Sequence, residues 1–158
     1  MRCSILPAIL LWITAPLALS WEPVTLPTPD ATTPSWLRCR LEVPDRLVVP
    51  EKNNPRDLWR SSTMLVLSDL PHGAEVFLNA QSILKIGEIP IGQSQRFKVP
   101  KGILVSGEFN TLVIRLERGA LTNPPMLIDY FNELRLGPAW ELSTSQPEDS
   151  DLEATAGQ

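Results

Sequence analysis

Histidine, cysteine and tyrosine are almost missing from these 158 residues, which hold one His, two Cys and one Tyr. Each scarcity excludes a chemistry. A nucleophile–base triad needs a histidine, and the sole one, His72, sits in Pro71-His72-Gly73 with no Ser or Cys beside it in sequence. It reads as a solvated turn residue rather than a general base. Metal sites of the His/Cys kind need more ligands than this chain offers. No glycine-rich loop cradles a phosphate. Basic residues form no stripe, and the net charge is −4, so nucleic acid is excluded as a partner. Lys and Arg are absent from the last eleven residues, where Glu148, Asp149, Asp151 and Glu153 gather, so the body of the protein is nearly neutral.

Long apolar runs are also absent. The stretch from Ile5 to Leu19 is broken by Pro7, Thr14 and Pro16, too short and interrupted for a membrane-spanning helix. With Arg2 ahead of it and Ala18-Leu19-Ser20 behind, residues 1–20 read as a secretory signal cut between Ser20 and Trp21. The expectation is export to the periplasm or the extracellular space, with no membrane span after cleavage. Cys3 lies in the basic end and cannot be a lipid-bearing cysteine. Removing the signal leaves Cys39 alone, so no internal disulfide can form. Cys39 alternates with Leu37, Leu41 and Val43, which marks a buried core thiol.

The rest is long enough for one domain with its own core. Residues 21–35 carry Pro23, Pro27, Pro29 and Pro34 and read as an extended leader, neither strand nor helix. Residues 143–158, rich in Ser, Thr, Glu, Asp and Gln, read as a disordered acidic tail. Between them, 36–142 shows strand signals. Trp36–Val43 alternates, with Arg38, Arg40 and Glu42 on the polar face. Thr63–Ser68 is apolar on both faces. Glu75–Leu78, Arg96–Val99 and Thr111–Glu117 read as further strands, and Tyr130–Leu136 as the last. Pro71–Gly73, Pro100–Gly102 and Ser106–Glu108 are turns. No window holds a 3.6-residue period, so an all-β sandwich is expected.

Three ordered segments resemble the sugar-binding jelly-roll domain of family 2 glycoside hydrolases: Trp36–Pro44, Leu67–Asn79, and Phe97–Pro100 through Gly107-Glu108-Phe109-Asn110 to Leu112–Arg115. Asp57-Leu58-Trp59-Arg60, Arg96–Gly102 and Tyr130–Leu134 resemble, more closely still, the N-terminal module of bacterial sorbosone-dehydrogenase-like, PVC-type haem-binding secreted proteins. The likeness covers about 36–142 and implies a galactose-binding-like jelly roll. Two departures stand out. The family hairpin ends in Asn-Gly, but this one has Asn79-Ala80. A type I′ turn needs positive φ at both positions, which alanine resists by about 1 kcal/mol, so a longer or different turn is expected. No CxxCH is present, so haem and dehydrogenase chemistry do not carry over.

Saccharide sites pair an aromatic face with planar hydrogen-bonding groups. Asp57, Trp59 and Arg60 offer all three types in one short run, and Trp59 serves either as a sugar platform or as a plug in the sandwich. Asn79 is a further ligand-binding candidate that also suits a turn-shaping role. Trp140 stands ready to staple the tail. Glu75, Glu88, Glu108, Asp129 and Glu133 qualify as glycosidase carboxylates by type alone, and no catalytic residue is expected. Neither is a cofactor or a metal. A structural Ca²⁺ between loops would draw on Asn53, Asn54 and Asp57, yet no spaced ligand loop appears. The reading is therefore a non-catalytic module that binds carbohydrate weakly or positions substrate beside a catalytic partner domain. The alternatives are a purely structural interaction domain and the detached N-terminal segment of a haem-binding oxidoreductase.

Overall fold

A computed structural model describes residues 21–48, 63–85, 87–130, 132–137 and 139–156. Among these residues, eleven short strands account for nearly all of the regular structure. They are β1 (Glu22–Val24), β2 (Ser35–Glu42), β3 (Met64–Ser68), β4 (Glu75–Leu78), β5 (Gln81–Lys85), β6 (Ser94–Lys98), β7 (Glu108–Leu116), β8 (Met126–Ile128), β9 (Glu133–Arg135), β10 (Trp140–Ser143) and β11 (Thr155–Ala156). A 3₁₀ turn covers Asp45–Leu47, and the only α-helix among the described residues is the four-residue α1, Asp149–Leu152. No helix among them is long and apolar enough to cross a membrane.

The strands form two antiparallel sheets, a β-sandwich. The larger runs β1-β10-β2-β7-β4-β5, with β11 also on β7, and the smaller runs β6-β3-β8-β9. Alternation explains the core. Leu37, Cys39 and Leu41 of β2 face inward beside Leu112, Ile114 and Leu116 of β7, against Leu65, Leu67 and Leu127 of the small sheet. Strand β3 is buried at Leu65, Val66 and Leu67, hence its unbroken apolar sequence.

Four expectations need correction. The Pro-rich segment 21–35 is part of the fold. Its β1 pairs with β10 at the sheet edge, where a strand tolerates proline because one side needs no backbone donor. Thr28 donates its N–H to the Leu121 carbonyl (2.9 Å) and accepts the Leu121 N–H on its hydroxyl (2.9 Å). The acidic tail is ordered too, at least through Ala156: α1 lies on the large sheet and β11 pairs with β7 at Phe109 and Glu108. Its composition hid this, because the apolar surface that holds Leu152 belongs to the sheet. The strand expected at Tyr130–Leu136 is shorter and is not the last, since β10 and β11 follow it. Asp129 accepts the Asn132 N–H (2.6 Å) in a side-chain-closed turn, so β9 begins only at Glu133 and Tyr130 is 80% exposed.

The fourth correction concerns the hairpin. Leu78 pairs with Gln81, so the β4–β5 turn has two residues after all, with φ of 47° at Asn79 and 64° at Ala80. Sheet twist favours this turn strongly enough to hold alanine in the left-handed region. Ala80→Gly should therefore raise stability by about 1 kcal/mol, read as a higher denaturation midpoint at unchanged slope. No gain would show that the turn is relaxed as it stands.

Cys39 is 1% exposed. Burial, then the nearby Glu141 carboxylate, push its thiol from 9.0 up to about 12. The folded value is the higher one, so the thiol's contribution is complete below pH 9 and lost as pH rises from 9 to 12. The slope is at most about 1.4 kcal/mol per pH unit. The chain without residues 1–20, whose one cysteine is Cys39, should resist thiol reagents when native and react with one equivalent on unfolding. Cys39→Ala should flatten the alkaline limb of the stability curve, and an unchanged limb would contradict the burial.

Candidate functional site

Two concave surfaces stand out among the described residues, and the pairing register explains both. On the outer face of the large sheet, Pro23, Glu141, Arg38, Val113 and Phe77 stand in one row across five strands. Arg38 belongs to the polar face of β2 as expected, yet it is only 4% exposed. Its Nε donates to Glu141 Oε2 at 2.7 Å and its Nη1 to Asp151 Oδ1 at 3.0 Å. The Trp21 ring lies 4.1 Å from the guanidinium carbon, and Trp21 Nε1 donates to the same Asp151 oxygen at 3.3 Å. In the neighbouring row, Arg115 lies 5.6 Å from the Trp36 ring and pairs with Glu75 (3.3 Å) and Glu117 (2.6 Å). Trp36, Val113 and Leu152, with Trp21 and Phe77, form a second apolar cluster outside the main core.

The tail is a strap across this face. A capping box between Glu148 and Asp151 starts α1, and the Thr111 hydroxyl donates to the Glu153 carbonyl at 2.8 Å. Beside the strap lies a groove of about 490 Å³, lined by Pro23, Val24, Thr25, Arg40, Ala139, Trp140 and Glu141. Its floor is the edge of the sheet where β1, β10 and β2 meet. Trp140 is 2% exposed and its indole N–H has no hydrogen-bond partner. It packs in the core rather than stapling the tail. Gly137, at φ 93°, is required beneath it, since a Cβ there would come within 2.6 Å of the indole nitrogen.

The second concavity is polar and lies at one end of the small sheet. Ser68 closes β3 opposite Ser94, which opens β6, and the segment leading into β8 arrives beside them. Ser68, Asp69, Gly92, Gln93, Ser94 and Asn123 line a cleft of about 290 Å³. Ser68 and Asn123 also border an adjoining hollow of about 200 Å³ with Pro124, Met126 and Arg135. Asp69 sets the geometry. Its φ of 51° turns the chain, its Oδ1 accepts the Gly92 N–H at 2.6 Å, and its Oδ2 accepts from Asn123 Nδ2. The cleft therefore presents hydroxyls, amides and a carboxylate, with Asp69 and Asn123 held to each other by a hydrogen bond.

Of the residues singled out from sequence, Asp57, Trp59 and Arg60 lie outside the described residues, as do Asn53, Asn54 and Ser20. Trp21 is the ring on Arg38. His72 is an exposed turn residue. Asn79 is committed to the fold. Its amide donates to the Ile103 carbonyl (2.7 Å) and to Asn110 Oδ1 (2.8 Å), and its Oδ1 accepts the Thr111 N–H (2.8 Å). Among the described residues no three His, Cys, Asp or Glu side chains gather to hold a metal ion. The cleft residues were passed over because they are scattered from Ser68 to Asn123; the positive φ of Asp69 was not legible, although Ser68-Asp69 does end an apolar run. The groove was missed because two of its three strands lay in or beside segments read as leader and tail. The alternation in Trp140-Glu141-Leu142 was a usable signal.

No protein-family profile matches the chain, and no curated protein matches it in sequence.

Asn79→Ala would leave the Thr111 N–H and the Ile103 carbonyl without partners, so it should cost about 2 kcal/mol or more. Denaturation measures this. A variant of native stability would return Asn79 to the list of ligand-contacting residues.

Proposed function

We propose that this protein is a non-catalytic carbohydrate-binding or substrate-positioning module, exported, and working beside a catalytic partner on a galactose-binding-like jelly roll. One observation carries the reading: the end cleft holds Ser68, Asp69, Gln93, Ser94 and Asn123 together in about 290 Å³. Two hydroxyls, two amides and a carboxylate match the donors and acceptors that a sugar's hydroxyl groups require. The two-sheet antiparallel sandwich supports the fold-level likeness. Export rests on the sequence of residues 1–20, with its basic start, short apolar run and small residues before Trp21.

The cleft is small and carries no aromatic platform among the described residues, so affinity for single sugars is low, with Kd on the order of 1 mM. Useful retention then comes from a partner or from linked copies that raise the effective concentration. Calorimetry of the chain without residues 1–20, against monosaccharides and polysaccharides, tests this. Asn123→Ala and Gln93→Ala should abolish binding while thermal unfolding stays within about 0.5 kcal/mol of the parent, as for exposed substitutions generally. If Asp57, Trp59 and Arg60 hold the sugar instead, Trp59→Ala loses it and the cleft variants keep it. Absence of binding to every glycan at about 10 mM, ten times the expected Kd, rejects the function itself.

A further inference from the structure

The larger groove differs in chemistry from the polar cleft. Its walls are Pro23, Val24, Ala139 and the edge of Trp140, with the Thr25 hydroxyl as a small polar group. Two charged residues line it, and they are not equivalent. Glu141 is ion-paired with Arg38, 2.7 Å away, which it shares with Asp151. Arg40 is exposed and makes no ion pair among the described residues. It stands opposite Thr111 in the β2–β7 register, and the Thr111 hydroxyl holds the strap at Glu153. The uncompensated guanidinium therefore sits between the strap and the β1 edge, at the side of an apolar trough.

We propose that this groove binds a small carboxylate carried on an apolar body, with Arg40 as the residue that recognises the carboxylate. A guanidinium offers a planar fork that meets a carboxylate through two parallel hydrogen bonds. The apolar body displaces water from Pro23, Val24 and Ala139, where a polyol would leave most of its hydroxyls unmet. The volume suits a small molecule, at the lower end of the usual range of about 300–1,000 Å³. A monoanion matches Arg40, the one lining cation without an ion pair among the described residues. A phosphate dianion would place its second charge near Glu141, which disfavours it.

The probes are 3-phenylpropionate and its neutral amide, titrated into the chain without residues 1–20 and followed by calorimetry and by the backbone NMR shifts of Thr25, Arg40 and Ala139. The acid should bind about tenfold or more tightly than the amide, the gain typical of a hydrogen bond to a charged group. Arg40→Gln should erase that preference and leave thermal unfolding unchanged, because the side chain is exposed. Ala139→Leu, which fills the trough from an exposed position, should weaken both probes while sugar binding at the end cleft persists. Equal affinity for acid and amide, acid binding that survives Arg40→Gln, or shifts that map away from the groove would each overturn the proposal. So would an absence of binding at about 10 mM.

Discussion

Arg38 is charged and 4% exposed, and that condition organises the outer half of the molecule. A guanidinium out of water needs opposite charge and hydrogen-bond acceptors at close range. Nothing local on β2 supplies them. Glu141 comes from β10, Asp151 from the tail helix and the Trp21 ring from ahead of β1. Breaking a fully buried pair costs about 3–5 kcal/mol. Here Glu141 and Asp151 keep 36% and 22% of their side-chain surface, so water takes up part of that loss. The pairing draws both ends of the described chain onto one face of one sheet.

That clamp has a geometric consequence. The row Pro23, Glu141, Arg38, Val113, Phe77 is apolar at its ends and ionic in the middle. The strap covers the part of the face that includes Trp36 and Val113, with Leu152 as its apolar foot. It does not reach the corner where β1, β10 and β2 meet, and the groove is what remains uncovered. Arg38 and Arg40 lie two residues apart on the same face of β2, yet one is saturated and the other has no ion pair among the described residues. The difference is made by what crosses above them.

The polar cleft obeys a different rule. It forms where β3 ends and β6 begins, at the rim of the sandwich, where backbone groups leave the ladder and side chains must take over. Asp69 satisfies the Gly92 N–H and orients Asn123. Asn79 and Asn110 do similar work inside the molecule, tying the β4–β5 turn and β7 to the segment at Ile103 and Val105. Side-chain amides thus serve twice, once buried as fasteners and once exposed as a lining.

By itself the sequence determined the all-β class, the inward faces of β2 and β7, the burial of Cys39, the doubly buried β3 and three of the turns. All rest on short-range periodicity or on the φ preferences of Gly and Pro, which act within a few residues. Its composition misrepresented both ends. Of the four prolines only Pro23 falls within β1, and an edge strand tolerates it because its donors are unpaired on one side. The acidic tail found order because the surface it needs, Trp36, Val113 and Arg38, lies more than 30 residues away along the chain. The same holds for Ala80, whose positive φ is imposed by the pairing of Leu78 with Gln81. Only the tertiary structure decided that Arg38 is buried and Arg40 is not, and that Asp69 meets Asn123. These facts depend on which distant segments share a face, and a chain's local pattern carries no record of that.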